Sequence, residues 1–432
     1  MSRRLLKQMA TEWSSNIWLV VELIVVSVVL WYISDFLYIK ADVALQPMGL
    51  QTERVFTVSL TAIDPSAPNW NPADSTENTH ADNSRILYER IKADPAVEIA
   101  ARTYFGVPNE FNLSGTNLFN ADDTDSLAVI GTISQRFITP EYIEMFSIRG
   151  TNGESPAEMR RIFESGKILA TSDMIFCKFP HKQYDSWKEI YDEMDGYDVR
   201  EMLSRQFYIG SDSTEISIGG IIEPIKRSIH ERPMPQILLP MAEGNELNTA
   251  RILVKVRPDA VDGFEKHILG SSWTRSGNIY ISDIAEVDSL GYYHRVQKSA
   301  EIRNHIALMV FMLVSIFLGL LGTFWFRTQQ RVGEIAIRKV NGATSRSIFR
   351  RLISEGLILL TVATIPALGL DWLLTHLELN SSRLWVYYFE PLRFIACAAF
   401  AYLMLALMIV GGIWFPASRA MRIDPAVAIK DE

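Results

Sequence analysis

The chain has 432 residues, enough for two or three compact domains, and a formal net charge of −8. That acidic balance excludes a nucleic-acid binder as a whole-chain reading. Its two cysteines, Cys177 and Cys397, fall in a large middle region and in an apolar run, so neither a structural disulfide nor a cysteine metal cluster is available.

Residues 1–16 form a short polar lead carrying Arg3, Arg4 and Lys7. Residues 17–39, "IWLVVELIVVSVVLWYISDFLYI", then supply the roughly 20 apolar residues that a bilayer-crossing helix needs. The run is too long for the core of a signal peptide, holds Trp18 and Trp31, and lacks a small-residue cleavage site. Glu22 is a charge inside this span. An ionised group at the bilayer centre costs roughly 2.5–3.5 kcal/mol. Glu22 sits near one end, so either its side chain snorkels to the interface or a group from another helix is buried against it.

Residues 41–300 mix two periodicities and predict a large α+β domain of one or two lobes. "VFTVSL" from Val55, "LAVIGTI" from Leu127, "EISIGGII" from Glu215 and "RILVKV" from Arg251 read as strands. "SWKEIYDEM" from Ser186 and "DAVDGFEKHIL" from Asp259 read as helices, and Pro65–Asn83 as a surface loop. No catalytic constellation emerges. The seven histidines are scattered, and His230-Glu231 lacks the second histidine of a zinc-protease helix. No Gly-x-Ser-x-Gly elbow occurs. Asp122, Asp123 and Asp125 read as a solvated acidic loop. "ESGKIL" from Glu164 has Arg161 where a phosphate loop needs glycine. Asn112 and Asn380 open glycosylation-type triplets that are common by chance. From Glu286, "EVDSLGYYHRVQKSAEIRN" predicts a long helix feeding the second span, either a coupling rod or an ordinary stalk.

Residues 306–326 form that second span. Ser315, Gly319 and Thr323 make a small-xxx-small stripe on it, suited to helix one, to a second copy of the chain, or to other intramolecular packing. In residues 327–355, Val332, Ile335, Ala336 and Val340 recur at helical spacing, while Glu334 and Arg338 pair four apart on another face. This predicts a short amphipathic helix at the membrane surface, ended by Gly342. Thr344 or Ser345 then caps the helix of the third span, residues 356–374, which Pro366 is expected to kink. The segment reads either as a lipid-facing anchor or as a docking elbow with Asn341, Gly342, Ala343, Thr344 and Ser345 at its tip. The loop 377–393 carries Trp385, Tyr387, Tyr388 and Phe389, as an interfacial belt would. The fourth span is 394–415 and the tail 416–432. Lys and Arg concentrate in 1–16, 327–355 and 416–432, which places these three segments and both termini in the cytoplasm and the large domain outside.

"RVGEIAIRKVNGATSRSIFRRLISEGLILL" resembles the signature of the FtsX/MacB-type ABC-transporter permeases. Arg331, Glu334, Ile335, Ile337, Arg338, Lys339, Gly342, Ala343 and Thr344 match its pattern position by position. The tail resembles the family's through Pro416, Ala417, Ala420, Pro425 and Ala428, with Ile429 for the usual Leu. "ITPEYIEMFSIRG" and "GGIIEPIKRSIHERPMPQILLP" are similar to the MacB-like periplasmic core domain. The resemblance implies a multi-pass permease of the bacterial inner membrane that works as a dimer with a second copy or a paralogue. It implies two cytoplasmic ABC ATPase subunits docked on a coupling helix formed by Glu334, Arg338, Lys339 and Asn341–Ser345. ATP would then bind in those partners and not in this chain, which has no Walker A motif. MacB itself carries a fused ATPase, so export of the MacB kind does not carry over. Membrane lipids, a periplasmic adaptor and an outer-membrane protein are the other partners implied. The expected task is mechanotransmission to the periplasm, for efflux, lipoprotein release or regulation. The competing class is a membrane-anchored receptor or scaffold with no ATPase.

Overall fold

A computed structural model describes residues 13–421 other than 111–113, 117, 121–127, 130–132, 175, 178–198, 210–214, 229–230, 242–249, 331–336, 338–339 and 378–389. The chain divides into a large domain, Val43–Val296, and a membrane unit made of Met1–Asp42 and Gln297–Glu432.

The large domain is α+β. Its strands are β1 (Val55–Ala62), β2 (Val97–Tyr104), β3 (Ser114–Thr116), β4 (Leu118–Asn120), β5 (Ala128–Val129), β6 (Ile133–Ile138), β7 (Ile168–Thr171), β8 (Phe176–Cys177), β9 (Gln206–Ile209), β10 (Glu215–Ile222), β11 (Gln236–Pro240), β12 (Arg251–Val256), β13 (Arg275–Ser276) and β14 (Ile279–Glu286). One sheet runs β13-β14-β1-β12-β2-β6-β11-β7-β10-β9-β4, with β3 beside β6. Most pairings are antiparallel, but β11 lies parallel to β6 and β10 parallel to β7. β7 is buried along its whole length and β11 over all but its last residue, which is why they read as near-continuous apolar runs.

Helix α1 (Trp13–Leu45) belongs to the membrane unit except for its last residues. Helix α2 (Glu77–Lys92) occupies part of the stretch whose composition suggests a loop. Thr76 caps it by accepting from Thr79 N, and its first two turns are polar. Its apolar contacts, Leu87, Tyr88 and Ile91, come late, so the early residues carry no apolar stripe. Helices α3 (Glu141–Met145) and α4 (Pro156–Glu164) cover the middle of the sheet around Tyr142, Met145, Met159 and Phe163. Ser155 and Glu158 form a capping box at the start of α4, and Gly166 at φ +85° ends it. "ESGKIL" is therefore a helix stop leading into β7. The helix expected from Asp259 is confined to α5 (Phe264–Leu269), because Gly263 before it is left-handed at φ +84°. The Ser186 helix, the acidic cluster Asp122, Asp123 and Asp125, His230, Asn112, Asn380 and the aromatic residues of 385–389 lie outside the described residues.

The membrane unit consists of α1, α6 (Tyr292–Gln330), α7 (Ser345–His376) and α8 (Pro391–Met421), four helices long and apolar enough to cross a membrane. α6 starts at Tyr292 and not at Glu286, since β14 extends to Glu286 and Gly291 turns at φ +69°. α7 continues helical through Pro366. Leu23, Leu30, Ile316, Leu359, Leu360, Leu405 and Ile409 share one core.

Candidate functional site

The turn between α6 and α7 is built by two backbone devices. Gly342 adopts φ +86°, which a side chain would strain, and Asn341 N still donates to Ile337 O at 3.0 Å. Thr344 is then the N-cap of α7, its hydroxyl accepting from Ser347 N at 3.3 Å. Asn341, Gly342 and Thr344 are exposed, and among the described residues nothing lies within 4 Å of the space a Gly342 side chain would fill. Arg346 and Arg350 follow, also exposed. Cations in the first turn oppose the positive end of the helix dipole, so Arg346 does not serve the stability of α7. Ala343 is half-buried, and the side chain of Ser345 lies outside the described residues, as do Glu334, Arg338 and Lys339 and the apolar positions Val332, Ile335 and Ala336. Ile337 and Val340 are both exposed.

Behind this turn, α1 and α6 meet at three levels. An added Cβ at Gly319 would lie 2.9 Å from Glu22 Oε1, so the absence of a side chain there admits the carboxylate. Phe36 stacks on His305 with centroids 3.8 Å apart and ring planes 14° apart. Lys40 reaches Glu301 at 4.0 Å. Each step forward along α1 is matched by an equal step back along α6, the mark of an in-register antiparallel pair. From Glu22 to Lys40 the pairing spans roughly 27 Å at 1.5 Å per residue. Of the small-residue stripe, Gly319 faces α1, Ser315 is exposed, and the side chain of Thr323 is outside the described residues.

Apolar patterning singles out Glu22 and passes over deeper charges. Asp35 is 1 % exposed and lies 2.9 Å from Arg393 Nε of α8, which is itself 4 % exposed. One turn earlier, Trp31 Nε1 donates to Phe394 O at 3.3 Å. Asp371 of α7 is also 1 % exposed, and its Oδ1 has no hydrogen-bond partner among the described residues. It lines a small cavity with Ser27, Trp31, Thr364 and Tyr402, and Ser27 Oγ is unpartnered as well. Asp35 and Asp371 stand inside the apolar runs, so run length alone does not flag them. The signal that finds them is an ionisable residue at membrane depth.

Within the large domain, the end of α1 is held by a side chain. Lys226 is buried, and its Nζ donates to Val43 O and, at 2.6 Å, to Gln46 O. A lysine on the last carbonyls of a helix satisfies groups that the helix leaves open. Gly49, at φ +75°, lets the following chain lie against Pro224, whose carbonyl oxygen takes the space an added Cβ would need.

Residues 306–425 match the FtsX-like permease C-terminal family. This region is an FtsX-like permease domain. Such permeases are the membrane components of ABC-type transporters in the bacterial inner membrane. No protein of curated function matches the chain. Two solved structures align with part of it. One is the extracellular domain of the noncanonic ABC-type transporter YknZ from Gram-positive bacteria, at 12% identity, covering 52% of this chain and 100% of that one, with a TM-score of 0.29. The other is the periplasmic region of MacB from Actinobacillus actinomycetemcomitans, at 10% identity, covering 60% of this chain and 97% of that one, with a TM-score of 0.28.

Proposed function

We propose that the chain is the permease subunit of an ABC-type complex that relays the motion of a separate cytoplasmic ATPase to the large domain by mechanotransmission. The observation that carries this reading is the exposed turn Asn341–Thr344, shaped by Gly342 and followed by Arg346, whose charge opposes the dipole of α7. On this reading the turn docks on the ATPase, with Glu334, Arg338, Lys339, Ala343 and Ser345 beside it, and ATP binds in that partner. The termini lie in the cytoplasm and the large domain in the periplasm.

The antiparallel α1–α6 pair supports the relay. Both helices extend beyond the apolar runs, α1 to Leu45 and α6 back to Tyr292, and the carbonyls at the end of α1 are clasped by Lys226. A shift at the inner end of α6 then has a helical route outward along α6. A second copy or a paralogue completes the dimer, with the exposed Ser315 level of α6 available to it. An adaptor or outer-membrane partner would take up the motion in the periplasm. Efflux, lipoprotein release and regulation are all compatible with that output.

The test is co-purification of the tagged full chain from its host in mild detergent, with mass spectrometry of what accompanies it. An ATP-binding subunit that is lost on combining Gly342→Val with Thr344→Val, while helicity is kept, supports the docking turn. Purification of the folded wild-type chain without any ATPase would overturn the reading in favour of a membrane-anchored receptor.

A further inference from the structure

The chain leaves α1 at Leu45 and enters α6 at Tyr292. Both junctions rest on one short stretch between β10 and β11, residues 224–227. On the α1 side, Lys226 N donates to Met48 O at 2.9 Å and the Lys226 ammonium holds Val43 O and Gln46 O. The Pro224 carbonyl fills the space left at Gly49. On the α6 side, Arg227 O accepts from Asn109 N at 2.8 Å. Asn109 Nδ2 in turn donates to Val287 O at 3.2 Å, just after β14. The Asn109 carbonyl oxygen lies 2.9 Å from the point where a Cβ on Gly291 would sit, so Gly291 is fitted to it.

Two features make this arrangement more than a surface contact. Asn109 is left-handed at φ +63°, a conformation that asparagine tolerates better than most residues but that persists only where the surroundings fix it. In that conformation its backbone meets Arg227 while its side chain meets Val287. The 224–227 stretch is itself pinned. Gln236 Nε2 of β11 donates to Ile225 O at 2.5 Å, and the Arg227 guanidinium is held by Glu231 through two hydrogen bonds of 2.8 Å. The apolar side chains repeat the connection. Leu50 after α1, Ile225 in the stretch and Val287 before α6 are buried in one core, with Leu290 packed against it.

We infer that residues 224–227 form a crossbar that couples the exit of α1 to the entrance of α6, with Asn109 as the positioning residue that seats α6 on it. For its purpose the crossbar rests on the relay reading, to which it adds a route. Displacement of either helix end passes to the other through one backbone stretch, and through Gln236 into β11. Hydrogen-bonded and packed networks of this kind carry energetic coupling, and such coupling is reciprocal. Two separate anchors would behave differently, since loosening one would leave the other unchanged.

Hydrogen–deuterium exchange of the full chain in detergent separates these cases, read over residues 43–49 and 288–296. Asn109→Gly suits the left-handed backbone and keeps the N–H to Arg227, but removes the bond to Val287 O. Exchange over 288–296 should quicken by about three- to tenfold, the worth of one hydrogen bond. Through the crossbar, exchange over 43–49 should quicken too. Lys226→Met should act in the reverse direction, quickening 43–49 and carrying 288–296 with it. Ile268→Ala, in a separate core cluster, should leave both at wild-type rates. The inference is overturned if each variant quickens only the helix end it touches, or if Ile268→Ala quickens both ends as strongly. Should Lys226→Met not fold, the response of 43–49 to Asn109→Gly decides alone. No ATPase enters this measurement. Purification without an ATPase would end the relay reading and leave these rates as they are, while uncoupled ends would remove the crossbar and leave the relay to α6.

Discussion

In the large domain, Lys226 is buried with its ammonium on two backbone carbonyls, while Arg136 is buried with no carboxylate among the described residues beside it. In the membrane unit, Asp35 is buried against Arg393, while Asp371 is buried with Oδ1 unpartnered. Each region thus offers a buried charge held by an ion pair or by carbonyls and an unsatisfied one to compare. The held members join segments far apart in sequence, α1 to the start of α8 and the end of α1 to the 223–228 stretch. The unsatisfied members each line a cavity. Buried polar groups are almost always partnered, so an exception marks either stored cost or a site awaiting a ligand. The two kinds respond oppositely to substitution, and that contrast can be tested.

The largest effect belongs to the membrane ion pair. Arg393→Met leaves Asp35 buried and without this partner, which should cost about 3–5 kcal/mol. Thermal unfolding in detergent should show a large drop, recovered in good part when Asp35→Leu is added, because the uncompensated charge then disappears. If the single and double variants are equally unstable, the pair matters for packing and not for charge.

Lys226→Met comes next. It strips two carbonyls of a charged donor, and hydrogen bonds to charged groups are worth about 1.5–3 kcal/mol each, so a loss of about 3 kcal/mol is expected. If the clasp also transmits motion, the variant should uncouple ATPase stimulation from the large domain at temperatures where it remains folded. A folded variant with wild-type stability would show that the carbonyls find water instead.

Asp371→Leu has the opposite sign. Removing a buried oxygen with no partner relieves a penalty of about 1–3 kcal/mol, so the variant should melt higher than wild type. A higher melting temperature with transport intact would make Asp371 a tolerated cost. A higher melting temperature with transport lost would make it a functional group. A lower melting temperature would break the parallel with Arg136.

Much of the architecture is legible in the amino-acid sequence. Four apolar runs suffice for four spans because a helix must satisfy its backbone inside lipid. Gly342 and Thr344 are local signals, since a left-handed stop and a hydroxyl cap depend only on near neighbours, and both lie where the sequence predicts them. α2 escapes notice because its first turns are polar and its apolar residues come late. The Arg136 cavity is illegible for a different reason. Ser134 and Gln236, which line it, meet only through parallel strand pairing, and nothing within a few residues of either reports the other. Asp35 and Arg393 are likewise joined by helix packing alone.

The smallest prediction concerns pH. Both carboxylate oxygens of Asp173, just after β7, are buried without a hydrogen-bond partner among the described residues, and burial pushes its carboxyl above the ordinary value of 3.8. Thr171 beside it offsets this in part at most, since its hydroxyl donates to Gln236 O at 3.3 Å. A raised acid is protonated longer in the folded chain than in the unfolded one. Its contribution is therefore intact below pH 3.8 and is lost as pH climbs through the folded value. Across this range the stability difference between the wild-type chain and Asp173→Asn should shift against the wild type as pH rises, because only the wild type loses this contribution. A difference that does not change with pH would mean that Asp173 acquires a partner or water in solution.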